Sequence, residues 1–361
     1  MLYLYSPGKA ASLPLIFKHM RILLLLPLFF FTAICCSAPE RAEDGTCTLG
    51  LSIGSNLPGK SYSNCDDGAL ERWAVFVYSR EDKSFVFADS RDAEEEVYCQ
   101  VKSGLDYDVF AVANYPCFGE HAFSIASVES VEDLLGTVVH LSDASEDCLP
   151  MFGNLSTGIV GKDRMLCIPV FRIPSRVEIG KIKIEFEDQR LNDSSLCLSA
   201  IYLTNVQCRS TLSGAVAPDD NPESWYNAMQ WHGSGENAIL DRLVAQTGIN
   251  TVISNGQSQV LDYCFHTMPN TTPFWADSKS AQWSARCTRL ILEATINSKK
   301  YYYQITLPEM ENGVSYYVKE AVIRKPGSLD PEQDIPGAID VTLSAAVTGS
   351  WNNTYTMSEE S

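Results

Sequence analysis

Apolar and polar residues alternate with a period of two over much of this chain. From 339 to 347 every odd position is apolar (Ile339, Val341, Leu343, Ala345, Val347), and Trp351 rejoins the series after Gly349. Asp340, Thr342, Ser344, Thr348 and Ser350 fill even positions, with Ala346 the one neutral exception. Side chains of a β-strand alternate between faces, so this segment predicts a strand with an apolar ridge and a polar back. Residues 47–54 repeat the device: Cys47, Leu49, Leu51 and Ile53 share one face, and Thr48, Gly50 and Ser52 the other.

Between these two ridges the pattern predicts further strands. Residues 71–78 are apolar at nearly every position, as expected where both faces are covered. Residues 97–101, 107–114, 166–170 and 198–206 continue the series. In 177–186 the apolar positions run odd (Val177, Ile179) and then even (Ile182, Ile184, Phe186). A one-residue slip would turn the wrong face inward, so a β-bulge is expected at Gly180. A long hairpin is predicted from 290–296 and 301–307, turning at 297–300, and a strand from 315–323. Residues 131–135 suggest a helical turn. Residues 209–260 read as connection, with two turns of helix over 238–245. Many short strands with little helix define an all-β sandwich class.

The chain opens on a segment that is not part of the fold. Met20-Arg21 precedes an apolar run from Ile22 to Phe31, and small residues lead to Cys35 and Cys36. A short basic start, an apolar core and small residues ahead of cysteine describe a bacterial lipoprotein signal, with Met20 as the start and Cys35 or Cys36 as the lipidated residue. An ordinary secretory signal is the alternative. The run is shorter than the ~18 residues that cross a membrane. Net charge is −18, and cleavage of the signal removes three basic residues and no acid. Such a chain repels nucleic acid, and no basic patch interleaved with aromatics argues otherwise. Ten cysteines follow Cys36, at scattered spacings that permit disulfides in an exported protein but do not define pairs. At this length about two domains are expected: a signal over 1–36, then 37–170 and 171–361.

No motif carries catalysis. The five histidines (19, 121, 140, 232, 266) are isolated in sequence, and although Asp143 or Asp262 could partner one in space, nothing selects it. The acidic run at 92–96 reads as a solvated loop. Gly153 and Gly158 have the glycine spacing of a phosphate loop, but Ile159-Val160 stands where Lys-Ser/Thr is needed. No Gly-x-Ser-x-Gly elbow and no Cys-x-x-Cys beyond the signal are present. No cofactor or metal is expected.

The order of segments resembles the fimbrillin-type subunits of Bacteroidales fimbriae, the type V pili. The resemblance rests on 71–78, on the strand ending at Asn114, on Pro150-Met151-Phe152-Gly153 followed by 171–177, and on 201–206. It continues through Met268-Pro269-Asn270, Tyr316-Tyr317-Val318, Gly327, Asp330-Pro331 and the alternating run to Trp351. It implies two transthyretin-like β-sandwich domains, short helices in the connections, export as an outer-membrane lipoprotein, and polymerisation by strand exchange. In that scheme a trypsin-like protease cuts after a basic residue beyond the first strand. The next subunit's terminal strand then fills the groove. Carried onto this sequence, the excised strand holds Cys47, Leu49, Leu51 and Ile53, and the cut follows Lys60, the one basic residue between Arg41 and Arg72. The donor holds Ile339, Val341, Leu343, Ala345, Val347 and Trp351. A disulfide from Cys47 to a retained residue would tether the strand to be released. The partners implied are other fimbrial subunits, the protease and, through the lipid, the outer membrane.

Two alternatives stand beside this reading. The terminal strand could pack only in its own sandwich. The chain could also be a monomeric surface lipoprotein that binds glycans through Trp225, Tyr226, Trp231, Trp275 and Trp283, whose rings could stack on sugars.

Overall fold

The computed structural model describes residues 45–55, 70–116, 121–145, 148–214, 224–228, 243–272, 285–347 and 354–357. Cys35, Cys36, Lys60, Trp231, Trp275, Trp283 and Trp351 lie outside these residues.

The N-terminal part runs β1 (Thr46–Ser55), β2 (Arg72–Ser79), β3 (Phe85–Asp92), β4 (Val97–Lys102) and β5 (Tyr107–Ala113). A short helix α1 (Val131–Gly136), β6 (Val138–His140), β7 (Met151–Ser156) and β8 (Arg164–Arg172) follow. The second part begins with β9 (Ser175–Ile184) and β10 (Ser195–Thr204), then the short strands β11 (Val206–Gln207), β12 (Arg209–Thr211) and β13 (Trp225–Tyr226). It continues with β14 (Ala245–Ser254), β15 (Ser258–Thr267), β16 (Arg289–Ile296), β17 (Lys299–Thr306), β18 (Val314–Ile323), β19 (Ile339–Val347) and β20 (Thr354–Met357).

Strand order repeats between the two parts. In the first, β3-β2-β5-β7 lie side by side, and β8 continues that sheet into β8-β1-β4. In the second, β14-β10-β16-β17 form one sheet and β15-β9-β18-β19-β20 another. Strand for strand these correspond: β1 is antiparallel to β4 and parallel to β8, as β9 is antiparallel to β15 and parallel to β18. The strands β19 and β20 are the addition that distinguishes the second part.

The continuous apolar run of β2 is explained by burial on both faces. Trp73, Val75 and Val77 enter an apolar cluster with Leu49, Leu51, Val97, Val109 and Ile168, which is the interior of the first sandwich. Ala74, Phe76 and Tyr78 face the other way, into a larger cluster that includes Leu134 of α1 and the second sandwich's Ile179, Leu198, Leu292 and Val318. The sheet holding β2 is therefore a shared wall between two cores. Strand β6 extends that connection by pairing with β12, Val139 opposite Ser210.

The bulge expected at Gly180 takes a form that involves several strands. Ile179 and Ile182 are both fully buried, so β9 changes face between them. Its neighbour β18 changes in step, from buried Val318 to buried Ala321. The two strands pair Ile179 with Val318 and Ile182 with Ala321, so their own ladder keeps its register. The offsets fall on the outer ladders instead, at Val260/Tyr263 of β15 and at Val318/Glu320 of β18 against β19.

Three sequence readings are corrected. Of the expected helix, 238–242 lie outside the described residues, and the span 209–260, read as connection, holds the ten-residue strand β14 and the opening of β15. Asn255-Gly256 between them is a strong turn signal, yet the strands part there into different sheets, because β14 pairs with β10 and β15 with β9. Strand β3 carries a partly exposed edge with Asp89, Arg91 and Asp92 and so lacks a clean ridge. The β16–β17 hairpin turns at two residues, Asn297 and Ser298, both with positive φ (48° and 65°), where four were expected.

Several segments on which the resemblance rested have a physical role. Asn114 and Asn205 each follow a strand at φ 55° and are buried. The Asn114 amide donates to the Leu149 carbonyl (3.1 Å) and its oxygen accepts from the Glu71 amide (3.0 Å). Asn270 donates to the Arg286 carbonyl and to Thr288 Oγ1, and accepts from the Thr272 amide. These side chains satisfy backbone groups that the strand ladders leave over, which asparagine at positive φ does at low steric cost. Gly153 sits where β7 crosses β8: a Cβ there would fall within the Pro169 carbonyl.

At the passage from β8 to β9, His266 is buried near Arg172 and Arg176. Burial first, then those two charges, push its imidazole from 6.5 down to about 3. The unfolded chain therefore binds a proton below about pH 6.5 that the folded chain refuses until about pH 3, so stability falls as pH falls through that window. The slope attributable to His266 approaches ~1.4 kcal/mol per pH unit. Denaturant titrations at pH 7, 6 and 5 are expected to show this loss, and His266→Gln should flatten it.

Candidate functional site

Strand β1 occupies the middle of its sheet. Thr46 to Leu51 pair with β4, and Leu49 to Ser55 pair with β8, so Leu49, Gly50 and Leu51 have a neighbour on each side. Ahead of the β8 ladder the Thr48 amide donates to Asp163 Oδ1 (2.7 Å), and Gln100 Nε2 donates to Thr48 Oγ1 (2.9 Å). The ridge faces inward as the alternation demands: Cys47 is 5% exposed, Leu49 and Leu51 are fully buried, and Ile53 is partly buried against the same cluster. Each fully buried leucine contributes ~1.5–3 kcal/mol from burial.

On the outer face the strand is nearly bare at Gly50. Tyr98 of β4 and Met165 of β8 stand opposite it on either side, and the Met165 thioether lies where a Cβ would be. Tyr98 and Met165 are more than half and half exposed. Without β1, the β4 and β8 edges would face one another across an apolar slot with its hydrogen-bonding groups unpaired.

Strand β19 is held differently. It runs antiparallel on β18, from Val314↔Val347 to Ile323↔Ile339, and β20 lies on its other side. Ile339, Val341, Leu343 and Ala345 pack against the large core but are only partly buried. Its one described ion pair joins Asp340 to Arg324 at 2.7 Å, with Asp340 58% exposed, and an exposed pair of this kind contributes little. In this single chain, then, the terminal strand rests in its own sheet. It is a peripheral element, whereas β1 is an internal one.

Cys47 is a free thiol, as are Cys99, Cys167 and Cys197, so no disulfide ties β1 to the body. Cys99 lies on the same inward face of β4, opposite Leu49, and burial pushes its thiol up to about 11. Cys167 is exposed on β8 opposite Ser52.

The structure selects Asp143 from the acids that the sequence offered as partners for a histidine. His121 Nδ1 lies 2.9 Å from Asp143, and its ring stacks on His140 with centroids 3.7 Å apart. These residues are spread over 121–143, with no periodic spacing to betray them. Among the described residues no group of three or more His, Cys, Asp or Glu is arranged to hold a metal ion. Trp225 is buried, and Tyr226 is partly buried against the core.

These features define a class: an all-β protein of two transthyretin-like sandwiches in tandem, whose first strand is an internal insert and whose last is a peripheral addition. No protein-family model matches the sequence, and no curated protein matches it. Solved structures do. A candidate cell adhesion protein from Bacteroides eggerthii is similar at a TM-score of 0.58 and 17% identity, over 85% of this chain and 96% of its own. One from Parabacteroides distasonis is similar at 0.61 and 15% identity, over 83% and 98%. A fimbrilin from Porphyromonas gingivalis W83 is similar at 0.55 and 11% identity, over 83% and 96%. The chain thus has the fold of Bacteroidales fimbrilins and cell-adhesion proteins, over nearly their full length.

The contrast between the two strands is measurable. Leu51→Ala is expected to cost about 3–5 kcal/mol in urea denaturation, and Leu343→Ala about half that or less, because only the first leaves a closed cavity.

Proposed function

We propose that this chain is a structural subunit of an adhesive cell-surface fimbria, polymerised by strand exchange after its first strand is cut away. The observation that carries the reading is that β1 lies inside its sheet between β4 and β8, while β19 is peripheral and bears an apolar ridge of the same period. The shared fold with a fimbrilin supports the same conclusion. In this reading Cys35 or Cys36 is lipidated, and the chain reaches the outer membrane as a lipoprotein with 37–170 and 171–361 as its two domains.

A trypsin-like protease then cuts after Lys60, and Cys47, Leu49, Leu51 and Ile53 leave with the released strand. The slot between β4 and β8 takes the strand of a second subunit bearing Ile339, Val341, Leu343, Ala345 and Val347, extended to Trp351. The chemistry is consistent with an easy exit for one strand and a strong seat for the other. Freeing β19 uncovers residues that are already partly exposed. Filling the slot buries them fully and pairs two strand edges, which leaves few buried amides without partners. The free Cys47 thiol leaves β1 able to depart. The chain acts as a building block.

Purified protein treated with trypsin is expected to be cut near Lys60 and to form ladders that resist SDS. Truncation after Gly337 should abolish the ladders while the cut still occurs. Protein that stays monomeric after the cut would overturn the proposal.

A further inference from the structure

Four inward seats line the slot, and in chain order β1 fills them with Cys47, Leu49, Leu51 and Ile53: one small residue, then three large ones. Strand β19 offers Ile339, Val341, Leu343 and Ala345: three large residues, then one small. The two ridges are close to mirror images in size.

We propose that a second copy's β19 enters the slot in the direction opposite to β1, antiparallel to β8 and parallel to β4. Ile339, Val341, Leu343 and Ala345 then take the seats of Ile53, Leu51, Leu49 and Cys47. This inference rests on the strand-exchange reading above and adds the direction and register of the donor.

Volume decides the direction. In the reversed register isoleucine replaces isoleucine and leucine replaces leucine. Valine replaces leucine with the loss of one methylene, and alanine replaces cysteine. A close-packed interior tolerates changes of this size far better than a leucine-sized void or an overfilled seat. The same-direction registers that keep the ridge inward fit worse. With Leu343 on Leu51, Ile339 overfills the Cys47 seat and Ala345 leaves the Ile53 seat largely empty. With Leu343 on Leu49, Ala345 leaves the Leu51 seat empty. With Leu343 on Ile53, Gly337 leaves the Cys47 seat empty, and Pro336, which has no amide hydrogen, falls at the Thr46 position that pairs with Lys102. The other reversed registers place Ala345 in the Leu49 seat or Leu343 in the Cys47 seat.

The outer face agrees. On the outer face Ser344 falls at Thr48 and supplies a hydroxyl to accept from Gln100. Thr342 falls at Gly50, where the half-exposed Met165 side chain swings aside.

The register has a native reporter. Asp340 falls at Ser52, directly opposite the exposed Cys167, whereas at home it lies opposite Val322. The variants Asp340→Cys, Thr342→Cys, Ser344→Cys and Ala346→Cys are cut with trypsin, allowed to assemble and oxidised with glutathione disulfide, which accepts the two electrons released when the thiol pair joins. Only Asp340→Cys is expected to give an inter-copy disulfide to Cys167, identified by peptide mass and lost on adding Cys167→Ser. A disulfide to Cys167 from 342, 344 or 346 in its place would overturn the register. Ladders that carry no disulfide from any of the four would overturn it too. Absence of ladders from the unsubstituted protein would remove the strand-exchange reading itself.

Discussion

A strand in the middle of a sheet satisfies two neighbours at once, and β1 does this for β4 and β8. Its backbone completes both ladders, and its ridge closes the interior of the first sandwich. Taking such a strand away leaves two edges whose amides and carbonyls have lost their strand partner, beside an apolar trough. Only another strand of the same alternation can restore both the hydrogen bonds and the burial. In the proposed exchange, that constraint selects what can take the place of β1.

The rest of the architecture is compatible with the proposed replacement. Within sheet β3-β2-β5-β7, strands β2 and β5 are buried on both faces, between the first interior and the large cluster that extends into the second sandwich. The sheet therefore has packing partners in the second sandwich as well as in the first. The second sandwich repeats the strand order of the first and adds β19 and β20 beyond β18. Those additions pack by one face and stay partly exposed, so their departure leaves the second core largely closed.

Much of this was legible in the residues. The alternation marked β1 and β19, the unbroken apolar run marked β2 as doubly covered, and the parity change at Gly180 marked a real change of face. Strands β14 and β15 escaped because each is largely exposed on one side, and their turn joins two sheets instead of one hairpin. Strand β3, with charges along an edge, escaped for a related reason. The sequence could name Asp143 as a possible partner but not choose its histidine, since the contact joins His121 to the end of β6 and the turn after it, which only the fold brings together.

The two ridges illustrate the division between sequence and fold. Period-two alternation depends only on the geometry of an extended chain, so the sequence alone determined that 47–54 and 339–347 are strands and which face of each is apolar. Whether a ridge is sealed or merely leaned upon depends on what lies across from it. Leu49 and Leu51 are enclosed by strands distant in sequence, whereas Val341 and Leu343 meet the core from its rim. Depth of burial and the number of paired edges are properties of non-local neighbours, which is why only the tertiary structure decided which strand is the insert and which is the addition.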